Sequence, residues 1–276
     1  MEEIRQAVER ARAGRDAGRE QHNPARTPIS PQGPKLGAAS GYQSHAEIQE
    51  VALNSAYLQS NRIISHIVTD PLARPFDMLR TQILQSMDSK STKILAVTSP
   101  TPGCGKTVTA ANLAFSIARQ PERSVLLVDL DFQKPKVATS LGLECDDGVL
   151  SVLDGRTMLP NAIIHACVGN QRLMVLPTTS TTGSSELMTS RAMAAMFQDL
   201  RKDYASQIVI VDLPPILSSD DVISILPQVD CVLLVVAVGI STVSEIEQCN
   251  RHLQSAEVVR IVLNKVPHEG APYYYY

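Results

Sequence analysis

The sequence predicts an α/β fold in which helices cover both faces of a three-layer, doubly wound, mostly parallel sheet. Six short apolar runs carry this prediction, at 94–97, 125–128, 173–176, 208–211, 232–236 and 258–263. They are almost continuously apolar rather than alternating, as expected of strands buried on both faces. Helical stretches separate them, at 107–119, 186–202, 220–226 and 241–255. Such alternation implies right-handed crossovers, and these folds bind ligands at the carboxyl ends of the strands.

The composition is that of an ordinary globular protein. The chain has 276 residues, of which 44% are hydrophobic and 19% charged, so a wholly disordered, collagenous or disulfide-stapled chain is excluded. The formal net charge is −3, from 25 basic and 28 acidic residues. This balance argues against sequence-blind nucleic-acid binding, so we expect no nucleic-acid partner and a local site for any anion.

The distribution of apolar residues and cysteines favours a cytosolic protein. The longest apolar run, Cys231 to Val238, is far shorter than the roughly 20 residues that cross a bilayer, so no membrane span is expected. The first 20 residues mix arginine with glutamate and lack a signal-peptide core. Five widely scattered cysteines indicate reduced thiols without zinc-site spacing; they are Cys104, Cys145, Cys167, Cys231 and Cys249.

Four segments follow from the pattern along the chain. Residues 1–43 are predicted to be a flexible arm, because they hold few large apolar residues. Residues 44–90 form a helical lead-in and a candidate oligomer or partner contact, 91–267 the main domain, and 268–276 a tail. Within the lead-in we expect a short helix over 46–58, a strand or docking segment over 63–68 and an amphipathic helix over 72–88. The apolar face of that last helix would comprise Leu72, Phe76, Leu79, Ile83 and Met87.

A glycine-bearing turn directly follows the first predicted strand. It runs from Ser99 to Thr107 and leads into a helix, an arrangement that points backbone N–H groups at a phosphate chain. Gly103 and Gly105 would let the backbone approach the phosphates, while Lys106 reaches the terminal phosphates and Thr107 offers its hydroxyl to Mg²⁺. The strict Walker pattern fails, because proline stands at position 100. The alternative is a polar strand-to-helix turn with an incidental lysine.

Aspartates follow two further predicted strands. Asp129 and Asp131 come at and just after the second strand, and Asp212 ends a later one. Alone, each could be a helix cap or turn residue. Together with the glycine turn they indicate a magnesium nucleotide site, in which Asp212 holds the water shell of the metal and Asp129 or Asp131 acts on the attacking group.

These residues together resemble the bacterial tyrosine kinases of exopolysaccharide and capsule synthesis, which belong to a wider group of P-loop ATPases that includes the partitioning enzymes. The resemblance runs from about Arg62 to the C-terminus. Its motifs are Leu79 to Ile83 before the domain, Ser99 to Thr107 as Walker A, Val125 to Pro135 as the A-prime motif, Val209 to Pro215 as Walker B, and the tyrosine cluster Tyr273 to Tyr276.

The resemblance implies roles for individual residues, with ATP and Mg²⁺ as cofactors. Lys106 would bind phosphate and act in catalysis, and Thr107, Asp131 and Asp212 would support magnesium. Asp129 would act on the tyrosine hydroxyl, with Asp131 assisting. The remaining nucleotide contacts implied are Gly103, Cys104, Gly105, Val108 and, for adenine, Asn264.

The resemblance also implies an activity and its setting. The chain would be a protein-tyrosine autokinase that phosphorylates its own C-terminal tyrosines and regulates exopolysaccharide synthesis, polymerisation or export. A membrane activator of the chain-length-regulator type would recruit it to the inner face of the cell membrane, and it would form a homo-oligomer.

The sequence departs from the family pattern at several positions. Thr101 stands where partitioning enzymes carry a signature lysine, which disfavours that branch. Cys104 and Gln133 stand where the kinases often have glutamate and arginine. The helix that usually reads Glu-x-x-Arg-x-x-Arg, and that forms the oligomer in the family, has Arg74, Asp77 and Arg80 at these positions.

Four of the seven tyrosines form the C-terminal run Tyr273, Tyr274, Tyr275 and Tyr276. By composition alone such a run has a probability of about 10⁻⁴, although a sticky tail or a cloning remnant is an alternative. Phenols on a flexible end make good phosphoryl acceptors. Because the chain from Lys265 to Tyr273 spans at most about 29 Å, transfer between subunits is favoured over transfer within one.

Two other functions remain open from the sequence. One is a non-kinase P-loop ATPase whose nucleotide-dependent association positions or regulates a membrane polysaccharide-export partner, with the tyrosines as a docking peptide. The other is a nucleotide-sensing scaffold with negligible turnover.

Overall fold

The computed structural model describes residues 50–179, 185–254 and 256–267, and within these ranges the chain forms eight strands. They are β1 (Glu50–Ala52), β2 (Ile94–Thr98), β3 (Ser124–Asp129), β4 (Ile164–Val168), β5 (Gln171–Leu176), β6 (Gln207–Asp212), β7 (Cys231–Ala237) and β8 (Val258–Asn264). All six apolar runs identified in the sequence lie in strands, namely β2, β3, β5, β6, β7 and β8.

Helices connect all of these strands except β4 and β5, which follow one another directly. They are α1 (Ser55–Ser60), α2 (Arg74–Lys90), α3 (Lys106–Ala118), α4 (Val137–Leu141), α5 (Val149–Leu153), α6 (Leu159–Ala162), α7 (Ser185–Met188), α8 (Arg191–Asp203), α9 (Asp221–Ile225) and α10 (Val243–His252). Local sequence explains the ends of several of them. Thr242 and Glu245 form a capping box at the start of α10, and the side chain of Ser190 caps α8.

The strands form one sheet in the order β1-β4-β5-β3-β6-β2-β7-β8. Six adjacent strands of the sheet run parallel to one another, in the order β5, β3, β6, β2, β7 and β8. Strand β4 is antiparallel to β5, and β1 pairs with β4 in parallel. The predicted doubly wound, mostly parallel sheet is thus confirmed. Its central strands place the residues that follow β2, β3 and β6 side by side at one edge.

Apolar side chains leave each central strand on alternate faces and fill two cores. In β2, Leu95 and Val97 pack on one face with α2 and α3, while Ile94 and Ala96 pack on the other with α8 and α9. Every residue of β2 is buried. The continuously apolar runs in the sequence therefore reflect burial on both faces.

The lead-in differs from its prediction in three places. The short helix expected over 46–58 begins only at Ser55, and β1 precedes it as an edge strand paired with β4. Residues 63–68 form neither helix nor strand, but Ile63 is fully buried in the first core. Leu72 was wrongly placed on the buried face of the amphipathic helix, because the helix starts at Arg74 and the side chain of Leu72 is exposed.

Asp77, which departs from the family pattern, and Arg80, which matches it, make contacts within the chain. Ser116 of α3 donates to a carboxylate oxygen of Asp77 at 2.6 Å, and Arg80 donates to the Ser116 carbonyl at 2.8 Å. Arg119 forms an ion pair with the same carboxylate of Asp77. These contacts fasten α2 to α3, the helix that follows the glycine turn.

Three further predictions concern cysteines, helix continuity and membrane spans. The five cysteines are free thiols, as predicted. The helix expected over 186–202 is interrupted, since α7 ends at Met188 and α8 restarts after the Ser190 cap. In the ranges that the structure describes, no helix combines the length and the apolar character needed to cross a bilayer.

Asp230 connects the starts of β2 and β7 with α8, at the end of the strands opposite the glycine turn. One carboxylate oxygen accepts the backbone N–H groups of Lys93 and Ile94 at 2.7 and 2.8 Å, and the other accepts from Arg201 of α8 at 2.7 Å. Burial alone would raise the pKa of Asp230, but these donors outweigh it and hold the pKa below its ordinary value.

Replacing Asp230 with asparagine should lower the free energy of unfolding by about 1–3 kcal/mol at neutral pH. The amide is uncharged and has only one acceptor oxygen, so either the two backbone N–H groups or Arg201 lose their acceptor. The stabilisation by the carboxylate is complete above the ordinary aspartate pKa of about 4, and is lost as the pH falls through the lower pKa of the folded state. Urea unfolding from pH 7 to pH 2.5 should therefore show the two proteins converging in acid. The control Asp154→Asn, in an exposed ion pair, should change little; an equal effect there would contradict this role of Asp230.

Candidate functional site

The glycine turn connects β2 to α3 in a conformation that requires its glycines. Gly103 and Gly105 have φ angles of 87° and 93°, in the left-handed region that glycine favours. A Cβ atom on Gly105 would lie 2.3 Å from the amide nitrogen of Asn264, so a larger residue would collide with that side chain. α3 begins immediately afterwards, at Lys106, and its first N–H groups point out of the helix at the turn.

Four of the predicted side chains meet at the carboxyl ends of β2, β3 and β6. Lys106 Nζ lies 2.7 Å from Asp131 Oδ2 and 3.7 Å from Asp212 Oδ1. The hydroxyl of Thr107 donates to Asp212 Oδ2 at 2.6 Å. The structure thus brings Lys106, Thr107, Asp131 and Asp212 into one cluster, which we call the lysine–carboxylate cluster.

The register of the sheet places a second carboxylate next to Asp212. Asp129 and Asp212 are paired residues on the adjacent strands β3 and β6, and both are fully buried. Burial, and secondarily the charge of Asp212, raises the pKa of Asp129 to about 7. Burial also raises the pKa of Asp212. For Lys106, burial alone would lower the pKa, but Asp212 and Asp131 outweigh it and the pKa is raised.

Asp129 and Asp131 occupy different positions relative to the cavity beside the turn. Asp131 lines that cavity, whereas Asp129 does not. The carboxylate of Asp129 accepts backbone N–H groups of Asp131, Lys136 and Val137 at 3.0–3.1 Å. Asp129 therefore shapes the loop that carries Asp131 and caps the start of α4.

The cavity has a volume of about 350 Å³ and a strongly cationic wall. Gly103, Gly105, Thr107 and Val108 line it, and their contact with a nucleotide stays a prediction. Its charged lining residues are Arg62, Lys106, Asp131, Lys134, Lys136 and Lys265. Five cations against one carboxylate favour a polyanionic ligand.

Asn264 lies against the glycine turn. Its amide nitrogen donates to the Cys104 carbonyl at 2.9 Å, and its amide oxygen accepts the Lys265 N–H at 2.8 Å. The side chain of Cys104 is buried and lies 3.4 Å from the hydroxyl of Ser241. These are contacts within the chain, so the contact of Asn264 with adenine stays a prediction. The acceptor role of Tyr273 to Tyr276 also stays a prediction, because these tyrosines lie outside the described residues.

Sequence reasoning missed four of the cationic residues on the cavity wall. Lys134 lies within, and Lys136 directly after, the A-prime motif, three and five residues after Asp131. This closeness in sequence to a predicted site residue was a usable signal. Lys265 follows a predicted strand end. Arg62 carried no signal, because it lies 44 residues before Lys106 in the lead-in and reaches the cavity only through tertiary packing.

The cluster fits Mg²⁺ and a nucleotide on the chemistry of its own atoms. Asp212 Oδ1 is buried without a hydrogen-bond partner, so it can still accept from a metal-bound water. Among the described residues, no group of three or more His, Cys, Asp or Glu is placed to hold a metal alone. Asp131 and Asp212 supply two carboxylates, and Mg²⁺ commonly takes one or two and completes its shell with water and substrate phosphates.

The chain matches a known domain family and is similar to proteins named as bacterial tyrosine kinases. The AAA domain family matches residues 92–260. The chain is 31% identical over 189 residues to the putative tyrosine-protein kinase EpsB of Ralstonia solanacearum, and 27% identical over 208 residues to the putative tyrosine-protein kinase CapB of Staphylococcus aureus. The kinase domain of the Escherichia coli tyrosine kinase ETK is similar in structure, with a TM-score of 0.66 and 26% identity, over 75% of this chain and 81% of that domain.

The extent of these matches differs between relatives. The EpsB match takes in 68% of this chain and the CapB match 74%. The chain spans a quarter of the length of EpsB but 90% of the length of CapB. The resemblance to bacterial tyrosine kinases read from the sequence motifs is confirmed.

Replacing Asp212 with asparagine should lower the pKa of Asp129 from about 7, because one of the two causes that raise it is the neighbouring negative charge. It should stay above the ordinary value, since burial persists. Carbon-13 NMR titration of the carboxyl carbons, without nucleotide or metal, measures this directly. Asp154→Asn is the matched control and should leave Asp129 unchanged. An unaltered pKa in Asp212→Asn would mean that burial alone sets it.

Proposed function

The chain belongs to the AAA domain family, and from this membership and the geometry of the site we propose that it is an ATP-dependent protein-tyrosine autokinase. Its acceptors would be the C-terminal tyrosines Tyr273 to Tyr276. The lysine–carboxylate cluster carries the proposal, because it joins a phosphate-binding turn, a lysine and two carboxylates within hydrogen-bonding or ion-pair distance. Tyrosine is proposed as the phosphoryl acceptor because the relatives EpsB and CapB are named as putative tyrosine-protein kinases.

The turn and the lysine would bind the triphosphate. Backbone N–H groups from Gly103 to Thr107 would donate to the phosphates, and the ammonium of Lys106 would exchange its present carboxylate partners for phosphate oxygens. Thr107 and Asp212, with Asp131, would hold Mg²⁺, which neutralises charge on the phosphates when bound. Asp212 is fixed by the sheet register, so this part of the site is rigid before the nucleotide arrives.

The two remaining roles concern the proton of the acceptor phenol. Asp131 reaches the cavity wall and can contact an incoming hydroxyl, whereas Asp129 acts from a buried position. A carboxyl with a pKa of about 7 is half ionised at neutral pH and matched to accepting a proton there. We assign Asp129 and Asp131 jointly to orienting and deprotonating the tyrosine, with Asp129 also holding the loop in place.

The setting of the reaction is proposed by analogy with the kinase relatives. Transfer would occur between copies of the chain, and a membrane protein of the chain-length-regulator type would activate it during exopolysaccharide synthesis. Each phosphotyrosine adds about −1.5 to −2 charges. Because the cavity wall carries five cations and one carboxylate, these added charges would strengthen the attraction between a modified tail and a neighbouring site.

Incubation with MgATP should produce phosphotyrosine at 273–276, detected by mass spectrometry. Lys106→Met should reduce it about 100-fold or more, because the phosphates lose their cationic partner. Replacing all four C-terminal tyrosines with phenylalanine should remove the acceptor and leave ATP hydrolysis largely intact. Lys202→Met, which removes an exposed lysine on α8, should leave both activities unchanged.

Two outcomes would replace this proposal with another. Active ATP turnover with unmodified tyrosines, in the presence and absence of the cytosolic segment of the membrane partner, would indicate a non-kinase ATPase. Nucleotide binding with negligible turnover under the same conditions would indicate a sensing scaffold.

A further inference from the structure

Three residues other than glycine have a positive φ in the part of the chain that the structure describes. They are Arg62 at 62°, Ser91 at 55° and Lys265 at 56°. This left-handed region is unfavourable for side chains with a Cβ and is usually given to glycine or asparagine. Where such a conformation persists at a larger residue, the surrounding structure enforces it, and such positions gather at ligand sites.

The positions of the three residues separate them into two kinds. Arg62 and Lys265 both line the cationic cavity, although they lie at opposite ends of the described chain. Ser91 directly follows α2 as its C-cap residue, and it lines a different surface pocket together with Lys93 and Asp230. Both cationic residues with a left-handed backbone therefore line this cavity.

Arg62 is fixed by contacts with its neighbours and with α3. Its N–H donates to the Gln59 carbonyl at 2.9 Å, and its carbonyl accepts from Asn112 Nδ2 at 2.9 Å. The next residue, Ile63, is fully buried in the core. The backbone around Arg62 is therefore held while its side chain stays exposed at the cavity.

Asn112 links this segment to the helix that begins with Lys106. The Asn112 side chain is fully buried and makes four hydrogen bonds. Its oxygen accepts the N–H groups of Ile64 and Ser65, and its nitrogen donates to the carbonyls of Arg62 and Val108. All four hydrogen-bonding positions of the amide are satisfied, so the lead-in and the start of α3 are held together as one unit.

Lys265 is fixed to the glycine turn by a shorter path. Its N–H donates to the amide oxygen of Asn264, whose amide nitrogen donates to the Cys104 carbonyl. The backbone of Lys265 is thereby coupled to the turn that surrounds the phosphates.

We infer that Arg62 and Lys265 are nucleotide-binding residues, which add two cations to the phosphate site from outside its motif. Both lie outside the AAA domain match at 92–260. The ligand is the phosphate chain of a nucleoside triphosphate, because the wall that these residues complete carries five cations and one carboxylate. The inference rests on the nucleotide-binding part of the proposed function and not on tyrosine as the acceptor.

Glycine substitution tests the inference, because it removes the side chain and relieves the left-handed backbone together. Arg62→Gly and Lys265→Gly should unfold at the same temperature as the wild type, or higher, and yet bind MgATP about 10-fold or more weakly, from the loss of a charged hydrogen bond. Ser91→Gly is the matched control, since it relieves the same conformation away from the cavity. It should keep or raise the unfolding temperature and bind MgATP as the wild type does.

Calorimetric titration with MgATP and thermal unfolding without nucleotide give both readouts on the full chain. Arg62→Gly and Lys265→Gly proteins that bind MgATP as the wild type does would overturn the inference. A loss of binding that merely follows a lowered unfolding temperature, or that also occurs in Ser91→Gly, would overturn it as well. Phosphotyrosine formation by the wild type is scored separately, so the kinase proposal can fail while Arg62 and Lys265 remain nucleotide ligands.

Discussion

The site depends on the contact of one ammonium group with two buried carboxylates. Lys106 lies within ion-pair distance of Asp131 and Asp212, and Asp212 also accepts from Thr107. Removing one partner from such a buried arrangement leaves an uncompensated charge, which is strongly unfavourable. The register of β3 with β6 sets the position of Asp212 beside Asp129, so the electrostatics of the cluster follow directly from strand order. Nucleotide binding then amounts to an exchange of partners at Lys106.

Much of this arrangement could be predicted from local sequence. Strands buried on both faces have continuously apolar sequences, and parallel strands bring their carboxyl ends to one edge. Those two facts are enough to place Lys106, Thr107, Asp131 and Asp212 together, as the structure does. The sequence also predicted a role for Gly103 and Gly105, in close approach of the backbone to phosphate, and the structure adds that both have a left-handed φ.

The elements that escaped prediction depend on contacts between residues far apart in sequence. β1 has only three residues and pairs with β4 alone, so it depends on the hydrogen bonds that β4 provides. β4 itself mixes apolar with polar residues, so neither strand has a clear periodic pattern. Arg62 reaches the cavity through Asn112, 50 residues later in the chain. The role of Asp129 as a cap for α4 likewise required the fold of the loop between them. Helix and strand periodicity hold no information on such pairings.

The lead-in and the glycine turn form one site, because Asn112 binds the lead-in to α3, the helix that begins with Lys106. Titration calorimetry of MgATP into the folded full chain, compared with Lys106→Met, tests the central exchange of partners most directly. We expect one MgATP bound per wild-type chain and loss of that binding in the variant. A folded wild-type protein that takes up no MgATP, or a variant that binds it equally well, would contradict it.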